Sequence, residues 1–315
     1  MTAQAAKRIL VTGAGGSLGR AVVPSLVEAG HRPVLFDLRA LDTDQEFVEG
    51  DVRDAAALAR AMRGVDVVVH AAALHGIHLQ AWSAEDFWST NVTGTFSVYE
   101  AAREAGVSHV VLGSSMVVYG DIGGGDAPWQ AVTEGSPLQP ANLYGLTKVL
   151  SEDIARYHAA AGAISTVALR LGMFVPETFE RYGFRLLFGG VDDRDVAQSV
   201  MRALDHLPQD GFAAFDIMAD SGLTVDDLTR LRTDLAAVLD ERWPGVTSLV
   251  EDRQLDLGSL VWGRRVYPVD QARVVLGYQP QYDFAAFLDA LRRDDPSHYP
   301  YAQEPWWGVE RPDWS

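Results

Sequence analysis

Short, continuous apolar runs most constrain the fold of this 315-residue chain. Each run is rich in β-branched residues and ends at a glycine or a polar residue. Such unbroken runs are typical of parallel strands covered on both faces, whereas alternation of apolar and polar residues is typical of half-exposed strands. They predict strands at 8–12, 33–37, 47–51, 66–70, 109–113, 165–170 and 212–218.

Helical patterns lie between these runs. One apolar stripe consists of Leu18, Val22, Val23, Leu26 and Val27, and a second stretch at 84–105 carries Phe87, Val92, Phe96 and Val98. Further helices are predicted at 144–161, 192–207 and 224–239, the last opened by a Thr224–Asp227 cap. Alternation of strand and helix predicts an α/β fold with a doubly wound parallel sheet.

The second half of the chain is less regular and indicates a second domain. We expect the first domain to cover 1–171, with 191–219 returning to it. A smaller C-terminal substrate domain then comprises 172–190 and 220–315. The tail at 299–315 contains Tyr299, Tyr301, Trp306, Trp307 and Trp314. We expect these rings to pack against the second domain, with a lid over the site or an interface as alternatives.

The charge balance excludes several classes of partner. There are 26 basic and 43 acidic residues, a net charge of −17, which argues against nucleic acid or an anionic membrane. The chain has no cysteine, which excludes disulfides and thiolate chemistry and fits a reducing cytosol. The N-terminus shows no signal-peptide pattern, and no apolar stretch is long enough to span a bilayer. We therefore expect a cytoplasmic protein.

A glycine-rich loop follows the first strand and opens a helix. Gly13, Gly16 and Gly19, with Ser17 and Leu18 between the last two, form a GxxGxxG pattern. A pyrophosphate needs backbone amides at close range and the positive end of a helix behind them, and side chains would block that approach. The position of the loop predicts a dinucleotide site in a Rossmann-type sheet.

Three later strand ends extend this site. Asp37 ends the second strand, where a carboxylate accepts ribose hydroxyls and repels a 2′-phosphate, so NAD is favoured over NADP. Arg39 would partly offset that repulsion. Asp51 and Val52 are expected beside the adenine. The small residues Ala71, Ala72 and Ala73 let the cofactor lie across the sheet.

A tyrosine and a lysine share one face of a predicted helix. Tyr144 and Lys148 are four residues apart, and a nearby cation favours the phenolate over the phenol. Ser114 and Ser115 end the fifth strand upstream of them. A serine there hydrogen-bonds the same substrate oxygen, so that Tyr144 moves a proton while the nicotinamide moves a hydride.

Together these motifs resemble the extended short-chain dehydrogenases/reductases, and most closely the NAD-dependent epimerase/dehydratase family. The resemblance includes Asn91, the stretch 114–120, and Arg194-Asp-Val-Ala197, and it covers roughly the first 205 residues. It implies that Ser115 and Tyr144 are catalytic, and that Lys148 is catalytic and binds the nicotinamide ribose. It places Asn91 on the helix that closes the cofactor site, where it shapes a water path or a backbone bend. It also implies a homodimer through the helices at 84–105 and 144–161.

Two departures from the family pattern bear on the reaction. Nucleotide-sugar dehydratases carry an Asp-Glu pair where this chain has Met116 and Val117, so dehydration is not expected. Nucleotide-sugar enzymes also have an asparagine where this chain has Met173, followed by a long segment that wraps the nucleotide diphosphate. Here the stretch from Arg170 to Arg194 is short, and Pro176-Glu177 resembles the uronate dehydrogenases.

Substrate contacts are predicted around the catalytic residues. His75 and His78 follow the fourth strand and face the expected substrate edge, and Met116 neighbours Ser115. The two histidines lack a third partner for a metal, so no metal is expected. Arg181 and Arg185 are the first candidates for an anionic substrate group, and Arg264 or Arg265 would serve a nucleotide sugar.

Three functions remain open from the sequence. The favoured one is NAD-dependent hydride transfer at a hydroxyl or keto carbon of a compact sugar or sugar-derived substrate, with a net dehydrogenase or reductase ahead. The first alternative is a nucleotide-sugar epimerase that retains its NAD. The second is a non-catalytic NAD-binding sensor, against which the presence of Ser115, Tyr144 and Lys148 together argues.

Overall fold

In the computed structural model, the strands of the main sheet lie at the apolar runs of the sequence. The structure describes residues 5–121, 128–206, 208, 211–261 and 263–310. The strands in this part of the chain are β1 Arg8–Thr12, β2 Arg32–Asp37, β3 Glu46–Glu49, β4 Val67–His70, β5 His109–Ser115, β6 Gln130–Ala131, β7 Ser165–Leu171, β8 Phe212–Ile217 and β9 Arg265–Val266. Seven of them form one parallel sheet in the order β3-β2-β1-β4-β5-β7-β8, and β6 pairs with β9.

Helices cover both faces of this sheet. They are α1 Ser17–Glu28, α2 Ala55–Ala61, α3 Ala84–Phe87, α4 Gly94–Ala105, α5 Leu143–Ala160, α6 Phe179–Arg185, α7 Asp193–Ala203, α8 Leu228–Thr233, α9 Leu235–Arg242, α10 Val246–Asp252, α11 Leu257–Leu260 and α12 Phe284–Arg292. In β1, Ile9 and Val11 pack with α1 and α7, whereas Leu10 packs with α2 and α4. The predicted doubly wound α/β sheet is confirmed. In the part of the chain that the structure describes, no helix has the length and hydropathy to cross a bilayer.

Two predicted helices are interrupted. The stretch at 84–105 changes to a π-helical turn at Trp88–Thr93 between α3 and α4. The stretch at 224–239 begins with the expected capping box, in which Asp227 accepts from the Thr224 amide at 2.8 Å. It then breaks at Asp234, because that residue leaves helical geometry and caps α9 by accepting from Ala237 N at 3.0 Å. The helix predicted at 192–207 is observed as α7, and Leu207 lies outside the described residues.

A second apolar cluster lies beyond the sheet. It combines the segment around α6 with residues from α8, α9, α10 and α12, and Tyr182 stacks on Tyr299 at 3.9 Å between ring centroids. Strand β8 is the last strand of the sheet, and helix α7 packs against it. Ala272, Leu276 and Tyr278 also pack against the sheet, although they fall in the stretch assigned to the second domain.

A buried ion pair joins α5 to β7 behind the carboxyl end of β5. Arg170 donates to both carboxylate oxygens of Glu152, at 2.9 and 2.8 Å, and their side chains are 3% and 0% exposed. Ser114 donates to the same carboxylate at 2.7 Å. Arg156, at the surface, also donates to the Glu152 carboxylate, at 2.9 Å. The carboxylate is fully hydrogen-bonded, which compensates for its removal from water.

Glu152→Ala is therefore expected to lower the free energy of unfolding by about 3–5 kcal/mol, since it leaves a buried arginine without its partner. Asp153→Ala is the matched control, because Asp153 is the next residue of α5, also pairs with Arg156, and has a side chain that is 58% exposed. It is expected to cost at most about 1 kcal/mol. Urea unfolding measures both, and similar losses for the two variants would contradict the assigned role of Glu152.

Candidate active site

The glycine loop lies where the strand order of the sheet reverses, between β1 and β4. Gly13 has φ +67°, and a Cβ on it would stand 2.7 Å from the backbone of Ala72. Helix α1 starts just behind, with Gly16 as its N-cap, no side-chain capping bond and no acidic residue in its first turn. Free amides and a positive helix end therefore face the crevice, as a pyrophosphate requires.

The third glycine has a different role. Gly19 does not line the crevice, and a Cβ on it would lie 2.4 Å from the carbonyl oxygen of Ala14. Its lack of a side chain lets the first turn of α1 sit directly on the loop that precedes it. Gly19 therefore positions the helix end and makes no contact within the cavity.

One cavity of about 420 Å³ unites the predicted cofactor and catalytic residues. Its lining includes most of the cofactor residues predicted from the sequence, namely Gly13, Gly16, Ser17, Leu18, Asp37, Arg39, Asp51, Val52, Ala71, Ala72 and Ala73. It also includes His75, Ser115, Tyr144 and Lys148. The carboxyl ends of β1, β2, β4 and β5 thus deliver these residues to one place.

Asp37 is held at the end of β2 by backbone amides. Its carboxylate accepts from Gly15 N at 2.9 Å and from Arg39 N at 3.0 Å, and the residue is 7% exposed. The Arg39 side chain is 56% exposed, with its Nε 3.8 Å from the carboxylate. A fixed carboxylate beside an exposed arginine favours ribose hydroxyls over a 2′-phosphate at this end of the cavity.

The opposite wall of that end comes from the loop after β3. Arg53 pairs with Asp51, donating from its Nε at 2.9 Å, and lowers the pKa of that carboxyl. Val52 is buried beside it. Trp82, which the sequence analysis did not select, lines the same cavity.

Tyr144 and Ser115 meet at the inner end. Tyr144 lies in the first turn of α5, which Asn142 caps by accepting from Gly145 N at 2.9 Å. Its phenol lies near the Ser115 side chain, and both residues line the cavity. Burial raises the pKa of Tyr144 well above its ordinary value, and the Ser115 side chain opposes that rise. The phenol therefore needs a further cationic partner before it can act as a base.

Lys148 lies one helical turn beyond Tyr144. Its Nζ lies 5.8 Å from the Tyr144 ring centroid and donates to the Gly113 carbonyl at 2.7 Å. Burial lowers the pKa of Lys148 to about 8, and the negative charge of Glu152 opposes that fall. Glu152, one turn further along α5, was not found from the sequence. Its charge favours the cationic form of Lys148, and its carboxylate accepts a hydrogen bond from Ser114.

The Asn91 side chain holds the backbone of the loop after β4 in place. Its side-chain oxygen accepts from Leu74 N at 2.7 Å, and its amide donates to Leu74 O at 2.9 Å and to Thr147 Oγ1 at 3.0 Å. Asn91 itself lies in the π-helical turn and does not line the cavity. It ties the loop after β4 to helix α5, beside Tyr144.

The two histidines of that loop are both neutral. The His75 ring packs on Tyr144 at 4.9 Å between centroids, and burial lowers its pKa to about 3. His75 Nδ1 accepts from Ile77 N, so its Nε2 carries the proton and is available as a donor. His78 also lines the cavity, and burial lowers its pKa. His78 Nδ1 accepts from His75 N at 2.8 Å.

Two predicted substrate contacts are corrected. Met116 packs in an apolar cluster with Val118 and Tyr267 and does not line the cavity, because the chain turns inward after Ser115. Arg185 is 1% exposed and donates to Glu177 at 2.8 Å and to the Val175 carbonyl, so its guanidinium is turned into the protein. The cavity lining includes none of the other candidate arginines, Arg181, Arg264 and Arg265.

The structure also adds residues to the cavity lining. Gly172, Phe174 and Val175, directly after β7, line the cavity, as do Trp307 and Gly308 from the C-terminal tail. The position after a strand end was a signal for the first three residues. The sequence offered no comparable signal for Trp307, because its aromatic tail had several equivalent rings.

Comparison with known proteins agrees with this geometry. The model of the NAD dependent epimerase/dehydratase family matches residues 9–182. The chain belongs to this family. Its cofactor is NAD, and the glycine loop, the uncapped helix end and Asp37 all fit that group. The family expected from the sequence is confirmed.

Individual relatives fall into two groups. A uronate dehydrogenase of Pseudomonas syringae pv. tomato is 31% identical over 201 residues, which are 62% of this chain and 69% of the relative. A UDP-glucose 4-epimerase of Rhizobium meliloti is 28% identical over 326 residues, 90% of this chain and 95% of the relative. The structure of an NAD-bound short-chain dehydrogenase/reductase superfamily protein of Agrobacterium tumefaciens is also similar. It is 25% identical, with a TM-score of 0.67, and the match covers 92% of this chain and 96% of that protein.

Asp37→Asn is expected to reduce the preference for NAD over NADP by roughly 10- to 100-fold, the equivalent of one hydrogen bond to a charged group. Asp44→Asn is the control, because it removes the same charge from an exposed residue outside the cavity lining. Calorimetric titration with both dinucleotides measures the preference. An unchanged preference in Asp37→Asn would show that another group selects the cofactor.

Proposed function

We propose that this chain is a net NAD-dependent dehydrogenase that oxidises a hydroxyl-bearing carbon of a compact sugar or sugar acid. The observation that carries the proposal is the meeting of Ser115, Tyr144 and Lys148 at the inner end of the cofactor cavity. A hexuronate is the first substrate to test, because the relatives include uronate dehydrogenases.

The chemistry needs one hydride and one proton to leave the substrate. NAD, when bound, would accept the hydride from the substrate carbon. Tyr144 takes the hydroxyl proton as a phenolate, and Ser115 holds the same oxygen by a hydrogen bond. Lys148 stabilises the phenolate by its charge. His75 offers an Nε2 donor to a neighbouring hydroxyl.

The compact-substrate assignment rests on the segment between β7 and α7. Met173 N donates to Gly189 O at 2.9 Å and Val191 N to Met173 O at 3.1 Å, which closes the segment at its base. Five large apolar side chains within it are at most 1% exposed, namely Tyr182, Phe184, Leu186, Leu187 and Phe188. Because these side chains build the second apolar cluster, little of the segment is left to wrap a nucleotide diphosphate.

A nucleotide-sugar epimerase is the second candidate. It is favoured by the UDP-glucose 4-epimerase relative that aligns over 90% of this chain. Dehydration has no support, because Met116 and Val117 offer neither acid nor base. A non-catalytic sensor would have no use for Ser115, Tyr144 and Lys148 together in one cavity.

We further propose a homodimer formed through the helices at 84–105 and 144–161. Large apolar side chains on these helices are between 39% and 64% exposed, namely Trp88, Phe96, Leu146 and Tyr157. Paired with a second copy, these side chains would be removed from water. Light scattering of the purified chain distinguishes one copy from two. We also propose a cytoplasmic location, which the absence of cysteine supports.

Tyr144→Phe is expected to lower turnover by about 10²- to 10⁴-fold, the usual contribution of a general acid or base, while NAD affinity stays close to that of the wild type. Tyr282→Phe is the control, since it removes a phenol from a residue outside the cavity lining, where the ring packs on Arg194. Steady-state kinetics and calorimetry give the two quantities. Full turnover in Tyr144→Phe would refute the catalytic assignment.

NADH formation, followed by absorbance, is expected with hexuronates and not with UDP-hexoses. Neutral hexoses are a third group of substrates to test. The described lining of the inner end contains no arginine that would bind a substrate carboxylate. Calorimetric titration with UDP, GDP and dTDP in the presence of NAD tests the nucleotide-sugar epimerase alternative. Micromolar binding of any of them, with NAD retained through purification, would favour the epimerase instead.

A further inference from the structure

Trp82 is an exposed aromatic residue in the wall of the cofactor cavity. It is 44% exposed, and it lines the cavity that contains the glycine loop and the catalytic residues. Among the described residues, its indole makes no hydrogen bond and no ring contact. A large apolar side chain left open at the wall of a cavity is typical of a residue that contacts a ligand there.

Helix capping does not account for this indole. Ser83 caps α3 in a reciprocal pair with Asp86, whose carboxylate accepts from Ser83 N at 3.0 Å and whose amide donates to Ser83 Oγ at 3.2 Å. An apolar residue directly before such a cap often packs on the fourth residue of the helix, here Phe87. Phe87 is fully buried, and no stacked or edge-to-face contact joins it to Trp82 within the described part of the chain. The capping motif therefore fixes the backbone beside Trp82 and leaves the indole uncovered.

Trp82 continues a row of cavity residues along one helical face. Asp86 and Thr90 line the same cavity, and their spacing of four residues places one above the other along the helical stretch. Trp82 lies four residues before Asp86 and is the exposed member of the row, whereas the other two are half-buried. Its amide donates to the His78 carbonyl at 3.0 Å, so the loop before α3 holds its backbone in place.

The loops after β2 and β3 belong to the same end of the cavity. Arg53 pairs with Asp51, and its Nη1 donates to Ser89 Oγ at 3.1 Å, which ties the loop after β3 to the helical stretch that carries the row. Leu38 lines the cavity directly after Asp37 and is 60% exposed. Two large apolar side chains are thus open to the cavity at the end where Asp37 favours ribose hydroxyls.

We propose that Trp82 is an adenine-binding residue, and that its indole packs on the adenine ring of NAD. The glycine loop suits the pyrophosphate and Asp37 the adjoining ribose, so the base extends into the end of the cavity that Trp82 and Leu38 line. Adenine has two flat faces, which an aromatic side chain binds by stacking. The proposal rests on NAD as the cofactor and is independent of the substrate.

Trp82→Ala is expected to raise the dissociation constants of NAD and ADP-ribose by about 5- to 100-fold, the usual effect of removing an aromatic ring from a stacked base. Trp82→Phe keeps an aromatic face and should recover most of the lost affinity. Val274→Ala is the control, because it trims an apolar residue that is 85% exposed and outside the cavity lining. Calorimetric titration measures all three variants, and unchanged ADP-ribose affinity in Trp82→Ala would overturn the proposal.

Tryptophan fluorescence provides a second test that does not depend on affinity. Saturating ADP-ribose is expected to quench the wild-type emission by direct contact, because adenine absorbs at shorter wavelengths than indole emits. This quenching should be lost in Trp82→Phe and kept in Trp129→Phe, since Trp129 packs on Phe188 outside the cavity lining. Quenching that persists in Trp82→Phe would also overturn the proposal. Absence of NAD binding in the wild type would instead contradict the cofactor assignment.

Discussion

The cofactor cleft depends on a close approach of two backbone segments. The loop after β1 passes the segment after β4 so closely that a Cβ on Gly13 would stand 2.7 Å from Ala72. This approach keeps the first turn of α1 and its free amides at the crevice between β1 and β4. Every other residue of the site is placed relative to that helix end, because the parallel strands deliver their carboxyl ends to the same edge of the sheet.

Catalytic chemistry in this cleft depends on how the protein compensates buried charge. Lys148 is buried, which by itself disfavours its cationic form, and Glu152 on the next helical turn opposes this effect. Glu152 in turn would be costly to bury without Arg170 and Ser114. The same carboxylate thus stabilises the junction of α5 with β7 and keeps the charge that Tyr144 needs. Stability and proton transfer share one set of hydrogen bonds.

The parts of this structure that local sequence predicts are those with local causes. Apolar runs predicted the parallel strands, and a glycine loop after the first of them predicted the cofactor site. Local pattern did not reveal the break at Asp234, because an aspartate that caps a helix and one that lies within it look alike in sequence. Arg185 and Met116 were misassigned for a related reason, since proximity to a catalytic motif does not determine which way a side chain turns.

Long-range contacts account for what the sequence did not predict. Trp307 meets His78 across a sequence separation of 229 residues, and Arg20 meets Glu304 across 284. Nothing in the aromatic tail distinguishes Trp307, which lines the cavity, from Trp306, which is buried against Pro176. Such a contact becomes visible only when the second apolar cluster has brought the tail back to the sheet.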